Sequence, residues 1–148
     1  MANSALRVVE GASHSPSTLV DSCVLLDLAL DDPTWGQWSA DALAEAADEG
    51  PLVINPIVYA EVSVGYDAVE DLDFFLPATE YRREALPFPA GFLAGKAFLK
   101  YRRAGGAKTS PLPDFYIGAH AAVAGHRLLT RDKARYATYF PTVTLITP

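Results

Sequence analysis

Four carboxylates sit at places in this chain where a carboxylate needs a reason to be: Asp21, Glu61, Asp114 and Asp132. Asp21 ends the run Thr18-Leu-Val-Asp, Asp132 follows Leu128-Leu-Thr-Arg, and Asp114 opens a helix of small residues. Glu61 is the hardest to explain structurally. In Pro56-Ile-Val-Tyr-Ala-Glu-Val-Ser-Val-Gly65, the apolar Ile57, Val58, Val64 and Gly65 lie at −4, −3, +3 and +4 from it. At helical spacing those offsets share one face. Glu61 is therefore expected within the stripe that meets the core, where an ionised carboxylate is costly without a cation or hydrogen-bond donors. Four acids at element ends or on a buried face suggest a metal site. Oxygen-only donors favour a hard ion, Mg²⁺ or Mn²⁺.

The elements that must deliver these acids can be read along the chain. Thr18 to Asp21 is a short buried strand, followed by a helix over Val24 to Leu30. Asp32-Pro33 signals a helix start, and Trp35, Trp38, Ala42 and Ala46 give its stripe. Leu52 to Asn55 is a second strand, and Pro56 opens the Glu61 helix. Asp71 to Leu76 reads as helical between less regular stretches, and Pro89 opens another helix ending at Gly105-Gly106. A helix over Asp114 to Ala124, a third strand over Arg127 to Thr130, a short helix over Lys133 to Tyr139 and a fourth strand over Val143 to Ile146 complete the pattern. Strands separated by helices imply an α/β fold with a central parallel sheet and right-handed crossovers. Ligands in such open sheets bind beyond the carboxyl ends of the strands, which is where Asp21 and Asp132 lie.

Each acid also has a plainer reading. Asp21 and Asp114 could be helix caps, Asp132 a turn residue, and Glu61 half of an ion pair with a buried arginine. Ser22 and Thr130 adjoin two of the acids and could orient a carboxylate, or serve as ordinary cap and turn hydroxyls. His14, His120 and His126 do not form a ligand set, and His120, six residues past Asp114, is expected at the surface or an interface. Cys23 reads as a small core side chain. Asp27, Asp31, Asp41 and Asp48 read as solvated helix faces.

With 148 residues, half of them hydrophobic, the chain suits one domain. A single cysteine excludes an intrachain disulfide and thiolate metal sites, and fits a reducing cytoplasm. No apolar run is long enough to span a bilayer. Residues 1–17 lack the pattern of a signal peptide and are expected to be a disordered lead-in, or the product of a start codon placed too far upstream. Charge is strongly polarised: residues 1–80 hold fifteen acids and one base, and residues 81–148 hold three acids and eleven bases. The basic half could bind nucleic acid, or the two halves could simply pair with each other.

The segments Leu19-Val-Asp-Ser22, Asn55-Pro-Ile-Val-Tyr-Ala-Glu61, Pro111-Leu-Pro-Asp-Phe-Tyr-Ile-Gly-Ala-His-Ala121 and Leu128-Leu-Thr-Arg-Asp132 resemble a PIN-domain ribonuclease. More narrowly, they look like VapC, the toxin of VapBC type II toxin–antitoxin modules. The resemblance covers residues 18–148. It implies a three-layer α/β/α fold, Mg²⁺ or Mn²⁺ dependence, single-strand endoribonuclease activity, a homodimer and neutralisation by a VapB-like antitoxin. Asp21, Glu61, Asp114 and Asp132 take its four acidic positions. Tyr136 stands where an aromatic commonly follows the last acid, and the N-terminal segment is extra.

Such a nuclease would use a metal to activate water and align it with a phosphodiester, leaving a 3′-hydroxyl and a 5′-phosphate. Arg102, Arg103 and Lys108, with Lys100, flank the loop before Asp114, and Arg131, Lys133 and Arg135 bracket Asp132. These are the candidates for RNA phosphate contacts, with Tyr101 or Tyr116 as stacking partners. The rival functions are a housekeeping PIN nuclease in RNA processing and a catalytically inactive domain that binds RNA or protein. Retention of four acids argues against the last.

Overall fold

The computed structural model describes residues 15–148. Its centre is β1 (Thr18–Val20), whose three residues are all buried. On one side β1 pairs with β2 (Leu52–Ile54), which pairs in turn with β3 (Tyr81–Arg83). On the other side it pairs with β4 (Arg127–Leu129), which pairs with β5 (Leu145–Ile146). All four pairings are parallel, with Thr18 opposite both Leu52 and Arg127. The order β3-β2-β1-β4-β5 leaves β1, β2 and β4 as interior strands. The first two are buried throughout and apolar but for Thr18, whose hydroxyl accepts from Arg127, as strands covered on both faces require.

Among the described residues, seven helices cover this sheet: α1 (Ser22–Ala29), α2 (Gly36–Glu49), α3 (Pro56–Ser63), α4 (Val69–Phe75), α5 (Phe88–Arg103), α6 (Pro113–Ala124) and α7 (Lys133–Tyr139). The result is a three-layer α/β/α fold, as the sequence implies. Helix α1 packs on α2 and α3, while α6 packs on α5, α3 and α7. Small residues permit the tight α5–α6 approach: Ala90, Ala94 and Ala97 are buried on one helix, Gly118, Ala119 and Ala121 on the other.

Four expectations need correction. The sheet has a fifth strand, β3, with an inward tyrosine and two exposed arginines. It is an edge strand, where charged side chains are tolerated and discourage further pairing. The face assigned to the Glu61 helix is also wrong in part. The buried stripe is Val58 and Val62, and Val64, the αR cap two residues past Val62, falls on the opposite side of α3 and is 88% exposed. Asp27 is not a solvated residue: it is buried, accepting from Ser39 Oγ at 2.7 Å and pairing with Arg131 at 2.7 Å. Asp32 does cap a turn, accepting from the amides of Thr34 and Trp35, but the regular helix begins only at Gly36.

The expected lead-in, residues 1–17, lies outside the described residues except for its last three. Of these, Ser17 is part of the fold: its carbonyl accepts from Arg127 N at 3.0 Å. The two charge-polarised halves do pair in places, through Arg83–Asp73, Arg127–Glu49 and Arg131–Asp27. Among the described residues, no helix is long and apolar enough to cross a membrane.

Candidate metal centre

Asp21 follows β1 at its carboxyl end and is the N-cap of α1, as its plainer reading has it. Its Oδ1 accepts from Ser22 N at 2.8 Å. Its Oδ2 accepts from Thr130 Oγ at 2.7 Å, from the Tyr136 hydroxyl at 3.2 Å and from Cys23 Sγ at 3.5 Å. Capping alone does not need this many donors. Burial nevertheless raises the Asp21 pKa, against the lowering effect of those hydrogen bonds.

Glu61 lies half-buried on the margin of the α3 stripe, and its Oε1 accepts from Ser22 Oγ at 3.0 Å. Its pKa is raised, first by burial and then by the charges of Asp21 and Asp114. Among the described residues, no arginine pairs with it. Asp114 enters from the first turn of α6, and its pKa is raised by burial and then by Asp21, with Asp132 adding to the effect and Arg135 opposing it. Asp132 caps α7, accepting from Arg135 N at 3.2 Å, while its own amide donates to Thr130 Oγ at 3.0 Å. Its side chain is 48% exposed, so it forms the open rim of the group.

The structure therefore brings the four acids together at the carboxyl ends of β1, β2 and β4. Thr130 bridges Asp21 and Asp132, and Ser22 bridges Asp21 and Glu61. Three of the four acids have raised pKa values, each first because burial disfavours the charge, with neighbouring carboxylates adding to the effect at Glu61 and Asp114. A divalent cation relieves that repulsion, and carboxylate oxygens suit Mg²⁺ or Mn²⁺. Asp21, Glu61, Asp114 and Asp132 offer the donor chemistry such an ion takes and are the residues that would hold it, although their oxygens are less closely grouped than the ligand atoms of Glu84, His120 and His126.

Two side chains stand out that the spacing alone did not assign to the site. The Tyr136 hydroxyl binds Asp21 and also acts on Asp114. It lies four residues past Asp132 on α7, which is the sequence signal for it. Cys23 is not a plain core residue; it lies beside Asp21, and burial followed by the Asp21 charge pushes its thiol to about 11, leaving it unreactive.

The histidines are the main correction. His120 is fully buried rather than at the surface, and His126 is 6% exposed. With Glu84 they form a group whose ligand atoms lie within 4.8 Å of one another, a spacing that could hold a metal. Hydrogen bonding gives it another role. Asn55 Oδ1 is committed to Val58 N, so its amide group donates to His120 Nδ1. The His120 proton is thereby placed on Nε2, which donates to Glu84 Oε1 at 3.2 Å and offers no lone pair to an ion. His126 Nε2 reaches the same oxygen at 2.7 Å. The cluster is a hydrogen-bonded tie joining the end of β3, the cap of α3 and helix α6.

Among the cations, Arg102, Arg103, Lys108 and Lys133 are exposed. Arg102 braces the following turn, donating to the carbonyls of Gly106 and Lys108. Arg131 is different: its Nε and Nη2 fork onto Asp27, and its guanidinium lies over Trp35. Its charge is committed within the protein.

The model of the PIN domain family matches residues 18–141. No curated protein matches the chain. Among solved structures, VapBC2 from Rickettsia felis bound to a promoter DNA fragment is similar at TM-score 0.67 and 16% identity, over 88% of this chain and 98% of that one. VapBC-1 from nontypeable Haemophilus influenzae gives TM-score 0.66 and 16% identity, over 88% and 97%. A toxin–antitoxin complex from Klebsiella pneumoniae gives 0.64 and 22% identity, over 88% and 97%. At these identities the structural likeness establishes the fold, and the family match rests on the sequence itself. A parallel five-stranded sheet with acids gathered at its carboxyl edge, and a family model spanning residues 18–141, together show that this chain belongs to the PIN domain family.

Proposed function

We propose that this chain is a metal-dependent single-strand endoribonuclease, the toxin of a VapBC-type module, active in the cytoplasm and neutralised by a VapB-like antitoxin. The observation that carries this reading is the convergence of the acids, with Ser22 bridging Asp21 and Glu61, Thr130 bridging Asp21 and Asp132, and the Asp21 charge reaching both Glu61 and Asp114. A bound Mg²⁺ or Mn²⁺ would supply Lewis acidity for water and charge neutralisation for phosphate. Thr130, Tyr136 and Ser22 fix the carboxylates, so little reorganisation is needed at the reacting centre. Arg102, Arg103, Lys108 and Lys133, with Lys100, supply the phosphate contacts, and Tyr101 and Tyr116 the stacking faces. Arg131 is the weakest of the cations first considered, because Asp27 holds it.

Support for the antitoxin comes from the similar folds solved as VapBC and other toxin–antitoxin complexes. Exposed Phe88 and Phe92, one turn apart on α5, and exposed Phe74 provide apolar surface for a partner or a second copy of the chain.

The test is expression of the wild type and of Asp114→Asn without an antitoxin, with 5′ ends of cellular RNA mapped shortly afterwards. Growth arrest and new 5′-phosphate ends in the wild type alone support the reading. Equal cleavage by Asp114→Asn would sink the site assignment.

A further inference from the structure

Arg135 is the cation nearest the acids. Its Nε lies 3.4 Å from Asp114 Oδ2 and 3.7 Å from Asp132 Oδ2. Charge-assisted hydrogen bonds close to about 2.7–2.9 Å, so these are loose Coulombic contacts rather than a locked fork. By contrast, Arg131 Nε meets Asp27 Oδ2 at 2.7 Å. The Arg135 backbone is anchored, its amide donating to Asp132 Oδ1, while the guanidinium has only a loose contact at 5.9 Å from the Phe115 ring centre. Most telling, Arg135 Nη1 is buried with no hydrogen-bond partner, the one such side-chain atom among the described residues. Buried donors are nearly always paired, so this one points to an acceptor outside the chain. Arg135 also lines a groove of about 340 Å³ beside Asp132, walled by Tyr101, Thr138 and Tyr139.

A divalent ion and the guanidinium want the same oxygens of Asp114 and Asp132, and two cations on one pair of carboxylates repel each other. Resting on the nuclease reading above, we propose that Arg135 is an exchange cation: it yields the Asp114 and Asp132 oxygens to the metal and turns to an RNA backbone phosphate in the adjoining groove. Metal and RNA then bind cooperatively through one side chain. The metal releases the guanidinium, and the phosphate gives the unpaired Nη1 its acceptor. Arginine suits the task because its planar fork can address two oxygens at once.

The experiment measures Mn²⁺ affinity by calorimetry, and the affinity of a short single-stranded RNA with and without Ca²⁺ by fluorescence anisotropy. The proteins are the wild type, Arg135→Gln, Arg135→Lys and Asp114→Asn. Arg135→Gln is expected to bind Mn²⁺ about tenfold more tightly than the wild type and to lose the gain in RNA affinity that Ca²⁺ gives. Arg135→Lys keeps the charge and should retain wild-type Mn²⁺ affinity, which also serves if the glutamine variant does not fold. Unchanged or weaker Mn²⁺ binding by Arg135→Gln overturns the proposal, as does a Lys variant that binds Mn²⁺ as tightly as expected for Gln. If Asp114→Asn binds Mn²⁺ as well as the wild type, the metal centre itself is misplaced and both readings fall. Loss of binding in Asp114→Asn beside unchanged binding in Arg135→Gln removes the exchange role alone.

Discussion

The Tyr136 hydroxyl donates to Asp21 Oδ2 at 3.2 Å, so the most buried acid of the cluster is held by a side chain one helical turn beyond the most exposed one. A hydrogen bond to a charged group contributes about 1.5–3 kcal/mol. Tyr136→Phe keeps the ring that fills the core and removes only that donor. The Asp21 pKa should then rise further, and Mn²⁺ binding should need a higher pH. At neutral pH we expect roughly tenfold weaker Mn²⁺ binding, from about 1.4 kcal/mol of lost stabilisation. A titration of Mn²⁺ affinity against pH checks this, and a curve that overlays the wild type removes Tyr136 from the site.

Asp114→Asn should stabilise the protein while abolishing its function. Its pKa is raised by burial and by Asp21, even with Arg135 nearby, so the fold disfavours its charge. A raised carboxyl pKa means that stability falls as pH climbs from the ordinary value through the folded one. Removing the charge should recover on the order of 1 kcal/mol at pH 7 in chelator. Thermal melts with EDTA and with Mg²⁺ read this out: the variant should melt higher than the wild type in EDTA and gain less from Mg²⁺. A variant that melts lower in EDTA contradicts the crowded-charge account.

The tie at Glu84 has the opposite sign. Burial pushes the Glu84 pKa up, but hydrogen bonds and charge from His126, with His120 and Arg82, leave it lowered. Burial lowers His120, which is neutral in the fold. For both groups the contribution is full above the ordinary pKa and is lost as pH falls through the folded one. Stability should therefore decline from about pH 6.5 downward. In Glu84→Gln the slope below about pH 4.3 should flatten, while the decline that begins near pH 6.5 should steepen, because the Glu84 charge that raises His120 is gone. That variant should also cost about 1–3 kcal/mol at neutral pH, because two buried imidazole donors lose an anionic acceptor. Denaturant melts at several pH values test the slope, and ¹⁵N shifts of the His120 ring test its Nε2–H form directly. A ring protonated on Nδ1 instead would reopen the cluster as a metal site.

Gly118→Ala should destabilise by about 1–3 kcal/mol, the usual cost of overpacking. A methyl group there would collide with the buried Phe140 ring just beyond α7. Since α7 carries both Tyr136 and the Asp132 cap, the change should also weaken Mn²⁺ binding. Calorimetric melts and Mn²⁺ titration together check it. A stable variant with intact metal binding would show that Phe140 can move without disturbing α7.

How much was legible depended on whether a residue's surroundings were local. Asp21 and Asp132 lie beside apolar runs that read as strands, and Pro56 and Pro113 mark the helices of Glu61 and Asp114, so the acids and their order along the fold were visible. Strand β3 was not: Tyr-Arg-Arg carries one inward residue, and an edge position asks for little more. Val64 is exposed because the buried face of α3 centres on Val58 and Val62 rather than on Glu61, and a helix this rich in valine lets apolar spacing fit more than one face. His120 was misplaced because α6 is buried over almost its whole circumference, from Ile117 through Ala121, so being off the Asp114 face did not mean facing water. The Asp27–Arg131 pair joins residues 104 apart, and no local pattern signals that closure.

The interior strand β1 carries Asp21, yet the groups that hold Asp21 in place, Thr130 and Tyr136, come more than a hundred residues later. During synthesis the first acid is therefore made long before its clamps, and β1 lacks one of its two neighbours until Arg127–Leu129 has emerged. A ribosome-bound fragment stopping short of β4 would carry Asp21, Glu61 and Asp114 with only the local Ser22 and Cys23 donors to Asp21. The full set of contacts around Asp21, on this architecture, comes together only once β4 and α7 have been translated.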